Sequence, residues 1–239
     1  MDLSRREFIG LSAGFATIGI AGCSSKPTVQ KDTQATTETK DKKEAPKATL
    51  EVTDSGFYTD EYGNAHYAAK ITNSSTKYAA STVKITVTAK DSGGKILETM
   101  PYYLSAIYPS GDAFIGGVVP TSEKANSVEF AIADDEDTWK DTEQTQKEYI
   151  ETFYAENVNV VNSSYPSVTG EAVSKSKHDF EEANIIIVFM DKSGKITGGS
   201  SNYISDLPAG AKQPFSVSVG KLPEYETVTA YVDAGYIKH

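Results

Sequence analysis

The residue with the most distinctive chemistry is Cys23, the only cysteine among 239 residues. A single thiol provides neither an internal disulfide nor a cluster of thiolate metal ligands. Cys23 follows an apolar stretch, 8–22, which begins after the basic pair Arg5 and Arg6 and ends in small residues. This order is typical of a cleaved export signal, and the stretch is shorter than the ~20 residues that a membrane-spanning helix needs. We therefore expect residues 1–22 to be removed.

Both ends of this signal resemble known export motifs. Ser4-Arg5-Arg6-Glu7-Phe8-Ile9 resembles the twin-arginine signal, although a general secretory signal also begins with basic residues. Ile20-Ala21-Gly22-Cys23 resembles the lipobox at which lipoprotein signal peptidases cut. That resemblance implies a diacylglyceryl thioether on Cys23, and two acyl chains anchor a protein stably. The expected location is the extracytoplasmic side of the cell membrane, or an outer membrane if the cell has one.

Residues 23–47 have the composition of a flexible tether. They are rich in Ser, Thr, Lys and Glu, and Val29 is their only sizeable apolar side chain. Such a segment cannot bury enough apolar surface to offset its ordering entropy. The same composition argues against the alternative interpretation of Cys23 as a buried thiol, because nothing nearby could pack around it.

The charge of the chain restricts its partners. The net charge of −10 is unchanged by removal of residues 1–22, because these contain as many acidic as basic residues. Arg5 and Arg6 are the only arginines, so the exported part lacks the planar group that binds phosphate in bidentate fashion. Nucleic acid requires a basic face, and we therefore expect no nucleic-acid partner.

A long repeat indicates the organisation of the exported part. Residues 83–90 alternate apolar and polar side chains and run into the turn 91–94, as expected for a half-buried strand. The same feature returns about 100 residues later, in 183–190 and 191–194. A repeat of this length indicates a duplicated domain. Each copy has about seven short alternating segments, the pattern of an immunoglobulin-like sandwich.

We predict an all-β fold of two tandem immunoglobulin-like β-sandwiches, at residues 48–137 and 152–239. A single large barrel is the alternative. Residues 138–151 form the predicted linker, and their composition allows a short helix. Tyr149 and Phe153 fall four residues apart, a spacing that places them on one helix face toward one sandwich.

The chain resembles the FxLYD family of small extracytoplasmic β-sandwich domains. In the second copy, Ile187-Val188-Phe189-Met190-Asp191 stands where the family has Phe-x-Leu-Tyr-Asp, and in the first copy 87–91 departs further. Ile71-Thr72-Asn73 resembles the family's strand that ends in Asn, and Ala172-Val173-Ser174 approximates it. The resemblance covers most of each copy and implies an interaction or scaffold module without shared catalytic residues.

Catalytic and metal sites are disfavoured. None of the three histidines, His66, His178 and His239, lies four residues from another, and the expected exported part, from Cys23 onward, contains no Gly-x-Ser-x-Gly motif. The acidic run 134–137 suits calcium in charge, but it lacks the spacing of a dedicated calcium loop, so a solvated turn between the domains is the favoured interpretation. We expect no cofactor and no metal.

The candidate interaction face is formed by Ile186, Val188 and Met190. These apolar side chains alternate with the core-facing positions of their strand, on a face that is polar in the first copy. They need a cover, for which the first domain or the linking segment around Trp139 is favoured over a protein partner. The chain also has 14 tyrosines, which suit either a binding surface or a sandwich core. Those in the first copy include six candidates: Tyr58, Tyr62, Tyr67, Tyr102, Tyr103 and Tyr108.

The predicted function is a non-catalytic envelope lipoprotein that acts as a protein-interaction or scaffold module. The alternative is a solute- or ion-binding accessory of a transport or cell-wall system, and an envelope hydrolase is a more distant one. The expected partners are the membrane, through the lipid anchor, and an envelope protein or cell-wall component.

Overall fold

The computed structural model describes residues 48–133, 138–235 and 237–238, and these form antiparallel strands with one short helix. The predicted all-β class is confirmed. The first half contains β1 (Leu50–Thr59), β2 (Ala65–Asn73), β3 (Tyr78–Lys90), β4 (Ile96–Ile107), β5 (Asp112–Val119), β6 (Ser127–Ala133) and β7 (Trp139–Asp141). The second half contains α1 (Gln146–Thr152), β8 (Phe153–Val161), β9 (Ser167–Ser174), β10 (Phe180–Met190), β11 (Ile196–Leu207), β12 (Lys212–Ser218) and β13 (Thr227–Ala234).

The two halves repeat one strand topology. In the first half, β4-β3-β6 forms sheet I, to which β7 adds through β3, and β1-β2-β5 forms sheet II. In the second half, β11-β10-β13 forms sheet III and β12-β9-β8 forms sheet IV. Apart from the added β7, each half thus has two layers of three strands, and the chain passes between the layers in the same order in both halves. This arrangement is compatible with an immunoglobulin-like sandwich. The repeated unit has six strands where the sequence suggested about seven.

The turns after β3 and β10 show the repeat at atomic detail. In the first, the backbone N–H of Asp91 donates to the carbonyl of Lys95 at 3.0 Å, and in the second that of Asp191 donates to Lys195 at 2.9 Å. Gly94 and Gly194 close these turns with φ of 81° and 82°. Such positive φ values suit glycine, because it has no Cβ to clash. The sequence match at this offset therefore reflects one turn geometry used twice.

Each half has its own apolar core between its two sheets. The core between sheets I and II includes Ile71, Ile85 and Leu104, and the core between sheets III and IV includes Ile185 and Phe189. The alternate apolar residues that define the strands in the sequence point into these cores. The linker residues 138–151 hold β7 and most of α1, whose Tyr149 packs against the second core.

A buried asparagine closes one end of the first core. The Asn73 side-chain amide donates to the carbonyls of Tyr78, at 2.9 Å, and Ile107, at 3.1 Å, while its oxygen accepts the Ser75 N–H at 2.9 Å. These bonds satisfy polar groups that would otherwise be costly to bury. In the second half Ser174 ends the equivalent strand, and its hydroxyl accepts the Ser176 N–H at 3.2 Å.

Sheets II and III pack face to face, so the four sheets form a stack in the order I, II, III, IV. The contact between them is a third apolar cluster, which includes Ala68 of β2 with Ile186 and Val188 of β10. Phe114 of β5 stacks on Tyr231 of β13 with ring centroids 4.1 Å apart. Burial on both faces explains why β10 carries a continuous apolar run instead of an alternating one.

Small residues let the two inner sheets approach closely. A Cβ on Gly199 of β11 would lie 2.7 Å from the Cβ of Ala68, and one on Gly116 of β5 would lie 3.0 Å from Cγ2 of Ile186. Polar bonds also cross this contact, since the Ile196 N–H donates to the Asp54 carboxylate at 3.0 Å. The two halves accordingly belong to one compact unit.

The structure corrects the interpretation of Ile186, Val188 and Met190 as an exposed face for a partner. Ile186 is 1% exposed and Val188 is fully buried, while Met190 is partly buried against the same cluster. Sheet II of the first half covers them, and the sequence favoured this cover over a protein partner. The physical reason is that packing an apolar sheet on these three side chains removes their apolar surface from water, which is favourable.

We expect Ile186→Ala to reduce the free energy of unfolding by about 2–5 kcal/mol, because it leaves a cavity between the inner sheets. The matched control is Tyr203→Ala on the neighbouring strand, whose side chain is 63% exposed. That change should alter stability by no more than about 0.5 kcal/mol. Urea unfolding of both variants measures the difference, and equally small losses would mean that the Ile186 face is open to solvent.

Candidate binding cleft

An open cleft of about 460 Å³ lies where the two halves meet, and we call it the Tyr62–Tyr165 cleft. The first half contributes the turn between β1 and β2, with Val118 of β5. The second half contributes the turn between β8 and β9 and parts of β11 and β12. Its lining residues include Glu61, Asn64, His66, Ser164, Ser201 and Asn202.

One tyrosine from each half lies in the cleft and faces solvent. Tyr62 is 71% exposed and Tyr165 is 82% exposed, the two largest values among the large apolar and aromatic side chains of the described residues. Removing a large aromatic ring from water is usually favourable, so such rings tend to be buried in a folded protein. Two exposed rings in one concave site therefore mark a candidate ligand contact. The two rings provide flat apolar surfaces on an otherwise polar cleft.

The turn that carries Tyr62 is organised by the Asp60 carboxylate. Oδ1 accepts the backbone N–H groups of Tyr62 and Asn64, both at 2.9 Å, and Oδ2 accepts the Asn64 side-chain amide at 2.9 Å. The ring Nε2 of His66 lies 3.2 Å from the same Oδ2. An Asp that caps its own turn in this way gives the turn one conformation before any ligand binds.

The Asp60–His66 pair is buried, and its charge state follows from its contacts. Burial alone would raise the pKa of Asp60, but the hydrogen bonds from Asn64, His66 and Tyr62 outweigh it and hold that pKa below its ordinary value. Burial lowers the pKa of His66 and outweighs the opposing effect of Asp60. At neutral pH the pair is therefore an ionised carboxylate beside a neutral imidazole, with the ring proton assigned to Nε2.

Contacts within each half, and one across the junction, hold both sides of the cleft in place. The Tyr58 ring stacks on His66, with centroids 5.0 Å apart, and its hydroxyl donates to the Val219 carbonyl of the second half at 2.7 Å. The hydroxyl of Ser163 accepts the Tyr165 N–H at 3.2 Å and fixes the turn that carries this ring. The cleft is thus formed by two anchored turns on one compact unit.

A second, smaller cavity of about 190 Å³ lies at another part of the junction. Its walls are mostly apolar and include Leu104, Phe114 and Ile186 from the two halves. Asp233 of β13 is the buried acid at its edge. An ionised carboxylate is costly to bury in apolar surroundings unless it is hydrogen-bonded. The hydrogen bonds of Asp233 therefore decide whether this carboxylate is available to a ligand in the cavity.

The contacts of Asp233 connect three parts of the chain. Its Oδ2 accepts the N–H and the hydroxyl of Ser105 in β4, at 3.2 and 3.1 Å, and its Oδ1 accepts the hydroxyl of Tyr149 in α1 at 3.1 Å. The Tyr149 hydroxyl in turn accepts the N–H of Ala234 at 2.9 Å. Burial raises the pKa of Asp233 to about 6, although these hydrogen bonds oppose the rise. The carboxyl is occupied by the protein itself, which favours a structural role.

The sequence-predicted tyrosines and histidines are distributed over different environments. Of the six tyrosines, Tyr62 lines the cleft and Tyr103 is exposed elsewhere, whereas Tyr67 and Tyr102 are buried in the first core. His66 lies near the start of β2 and is buried, and His178 is exposed. Sequence reasoning missed Tyr165, Asp233 and the contact between Asp60 and His66.

Other predicted sites lie outside the described residues. These are the lipidation site Cys23, the export residues Arg5 and Arg6, the acidic run 134–137 and His239. Within residues 48–133, 138–235 and 237–238, no group of three or more His, Cys, Asp or Glu side chains is placed to hold a metal ion. In the same described part, no helix is long and apolar enough to cross a membrane.

Comparisons with known proteins do not assign a family, because no family model matches the chain and no curated protein matches it significantly.

We expect Asp233→Asn to remove a pH dependence of stability. A folded-state pKa of about 6, above the ordinary 3.8, means that protonation favours the folded state. This contribution is fully present below pH 3.8 and is lost as the pH rises through 6, an effect of roughly 3 kcal/mol. Relative to the variant, the wild type should therefore lose stability as the pH rises from about 4 to about 7.

Urea unfolding at several pH values measures this difference. The comparison with the variant is essential, because Asp60 and His66, whose pKa values are lowered, change the stability in the opposite direction. Tyr102, Tyr108 and Tyr149 also face Asp233, but burial raises their pKa values, so they stay neutral in this range. Exposed Glu226, changed to Gln, is the control. An Asp233→Asn variant with the wild-type pH dependence would contradict the expectation.

Proposed function

We propose that the protein is a lipid-anchored, extracytoplasmic binding module without catalytic activity, which recognises an envelope component in the Tyr62–Tyr165 cleft. The observation that carries this proposal is the pair of exposed rings in a cleft built from both halves. Ligand sites occur preferentially at such junctions, where two rigid parts form a concave surface.

The contacts of His66 favour binding over catalysis. A hydrolase of the serine type needs a histidine that accepts a proton from a serine hydroxyl. In the described part of the chain, Nε2 of His66 contacts Asp60, and the hydroxyl of the nearby cleft residue Ser200 donates to the Ser218 carbonyl. Histidine and serine are therefore both used to hold the cleft together.

The geometry also favours one of the non-catalytic functions over the other. The face around Ile186 and Val188, which had suggested a protein-interaction or scaffold module, is used inside the molecule. The Tyr62–Tyr165 cleft stays open and suits the binding of a solute or a polymer segment. Because an immunoglobulin-like architecture hosts many unrelated functions, the cleft, and not the fold, supports such a role.

The location of the proposed module at the membrane depends on lipid attachment to Cys23. We expect a Cys23→Ser variant of the full chain to keep its signal and to lose the lipid, because the serine hydroxyl does not form the thioether. The variant should lack the mobility shift of the processed protein and incorporate no labelled fatty acid, whereas a Ser24→Ala control behaves as wild type. Membrane fractionation and fatty-acid labelling measure both properties, and a labelled Cys23→Ser protein would refute the proposed anchor.

Binding in the cleft can be measured without the anchor. Residues 23–239 with Cys23→Ser should co-sediment with isolated cell envelopes of the parent organism, and both Tyr62→Ala and Tyr165→Ala should reduce the bound fraction. Tyr203→Ala is the matched control, because its ring is also mostly exposed, at 63%, but lies outside the cleft. Equal binding by all three variants would exclude the cleft as the recognition site.

A further inference from the structure

We infer that the Tyr62–Tyr165 cleft binds a neutral carbohydrate chain. This inference rests on the proposed function, since it names the ligand class of the same cleft. Three properties of the cleft support it: the exposed rings, the hydroxyl and amide groups between them, and the distribution of charge.

The rings provide the apolar part of a carbohydrate site. A pyranose has a flat face of C–H groups, which packs on the electron-rich face of an aromatic ring. Tyr62 and Tyr165 come from different halves of the molecule, so a chain that spans the cleft contacts both. Their turns are fixed by Asp60 and Ser163, so little conformational freedom is lost on binding.

The polar lining provides the matching hydrogen bonds. Sugar hydroxyls donate and accept at the same atom, and they are best met by groups that do the same. Within the described residues, the hydroxyls of Ser164 and Ser201 line the cleft and have no hydrogen-bond partner. The Asn202 amide donates to the Ser216 carbonyl at 3.3 Å, which holds it at the cleft rim.

The charges of the cleft favour a neutral ligand. Among the described residues that line it, none is a lysine, and His66 is neutral because burial lowers its pKa, so an anion finds no cationic partner. Both oxygens of Asp60 are occupied by the turn itself, and its side chain is only 4% exposed. Glu61 is the remaining open carboxylate, one charge that a hydroxyl group satisfies as a hydrogen-bond donor.

The experiment is calorimetric titration of residues 23–239 carrying Cys23→Ser. The neutral probes are chitotriose and maltotriose, and the comparison probes are choline, trigalacturonic acid and pentaalanine. We expect at least one neutral trisaccharide to bind with a Kd below about 10 mM and with the same affinity at low and high salt, because no charge pair contributes. Tyr62→Ala and Tyr165→Ala should each weaken that binding by about tenfold, and Tyr203→Ala should leave it unchanged.

The inference is overturned if neither trisaccharide binds, if the cleft variants bind as wild type, or if choline, trigalacturonic acid or pentaalanine binds instead. Retention on cell envelopes separates this failure from that of the proposed function. If the envelopes still retain the protein through the two tyrosines, the cleft is the recognition site and only the ligand class is wrong. Loss of both retention and trisaccharide binding refutes both proposals.

Discussion

The apolar contact between sheets II and III holds the molecule together as one unit. Without it, each half would be a small sandwich with one apolar face in water, and the strip of Ile186 and Val188 would favour aggregation. With it, β2 and β10 are buried on both faces, and the four sheets form three apolar layers. Because Gly199 and Ala68 meet across the contact, the backbones approach closely, and few larger side chains fit there.

The cleft is a consequence of this contact. Tyr62 belongs to the first half and Tyr165 to the second, and neither half alone forms the concave surface between them. The bond from Tyr58 to the Val219 carbonyl and the stacking of Tyr58 on His66 fix the junction beside the cleft. On the other side of the junction, Asp233 bonds to both Ser105 and Tyr149. A rigid junction is useful for recognition, since its groups are in place before the ligand arrives.

The polar groups at the junction divide into two kinds. Asp60, His66 and Asp233 are buried and bonded to the protein, so they position neighbouring segments. Glu61, Ser164 and Ser201 line the cleft with their side chains free for a ligand. This division explains why a carboxylate beside a histidine, which in another setting indicates catalysis, here has a structural role beside the proposed binding site.

By itself, the sequence determined the secondary structure and the internal repeat. Period-two alternation in residues such as Val83, Ile85 and Val87, and the turns after β3 and β10 that begin with Asp and close on Gly, depend on contacts within a short segment. The sequence also pointed to the unusual apolar face of β10, and it favoured a cover from within the chain over a protein partner without deciding between them. That choice depends on the complementary shape of sheet II, where Ala68 and Gly116 lie far from β10 along the chain.

The cleft could be identified only from the tertiary structure. Tyr62 stood among six candidate tyrosines with nothing local to distinguish it, and Tyr165 lies about 100 residues further along the chain. The contact of Asp60 with His66 has no motif spacing, and the raised pKa of Asp233 depends on burial by β4 and α1. Which side chains are exposed, and which loops lie close together, depends on how the two halves pack. The local periodicity of the sequence indicates strands but not which loops meet.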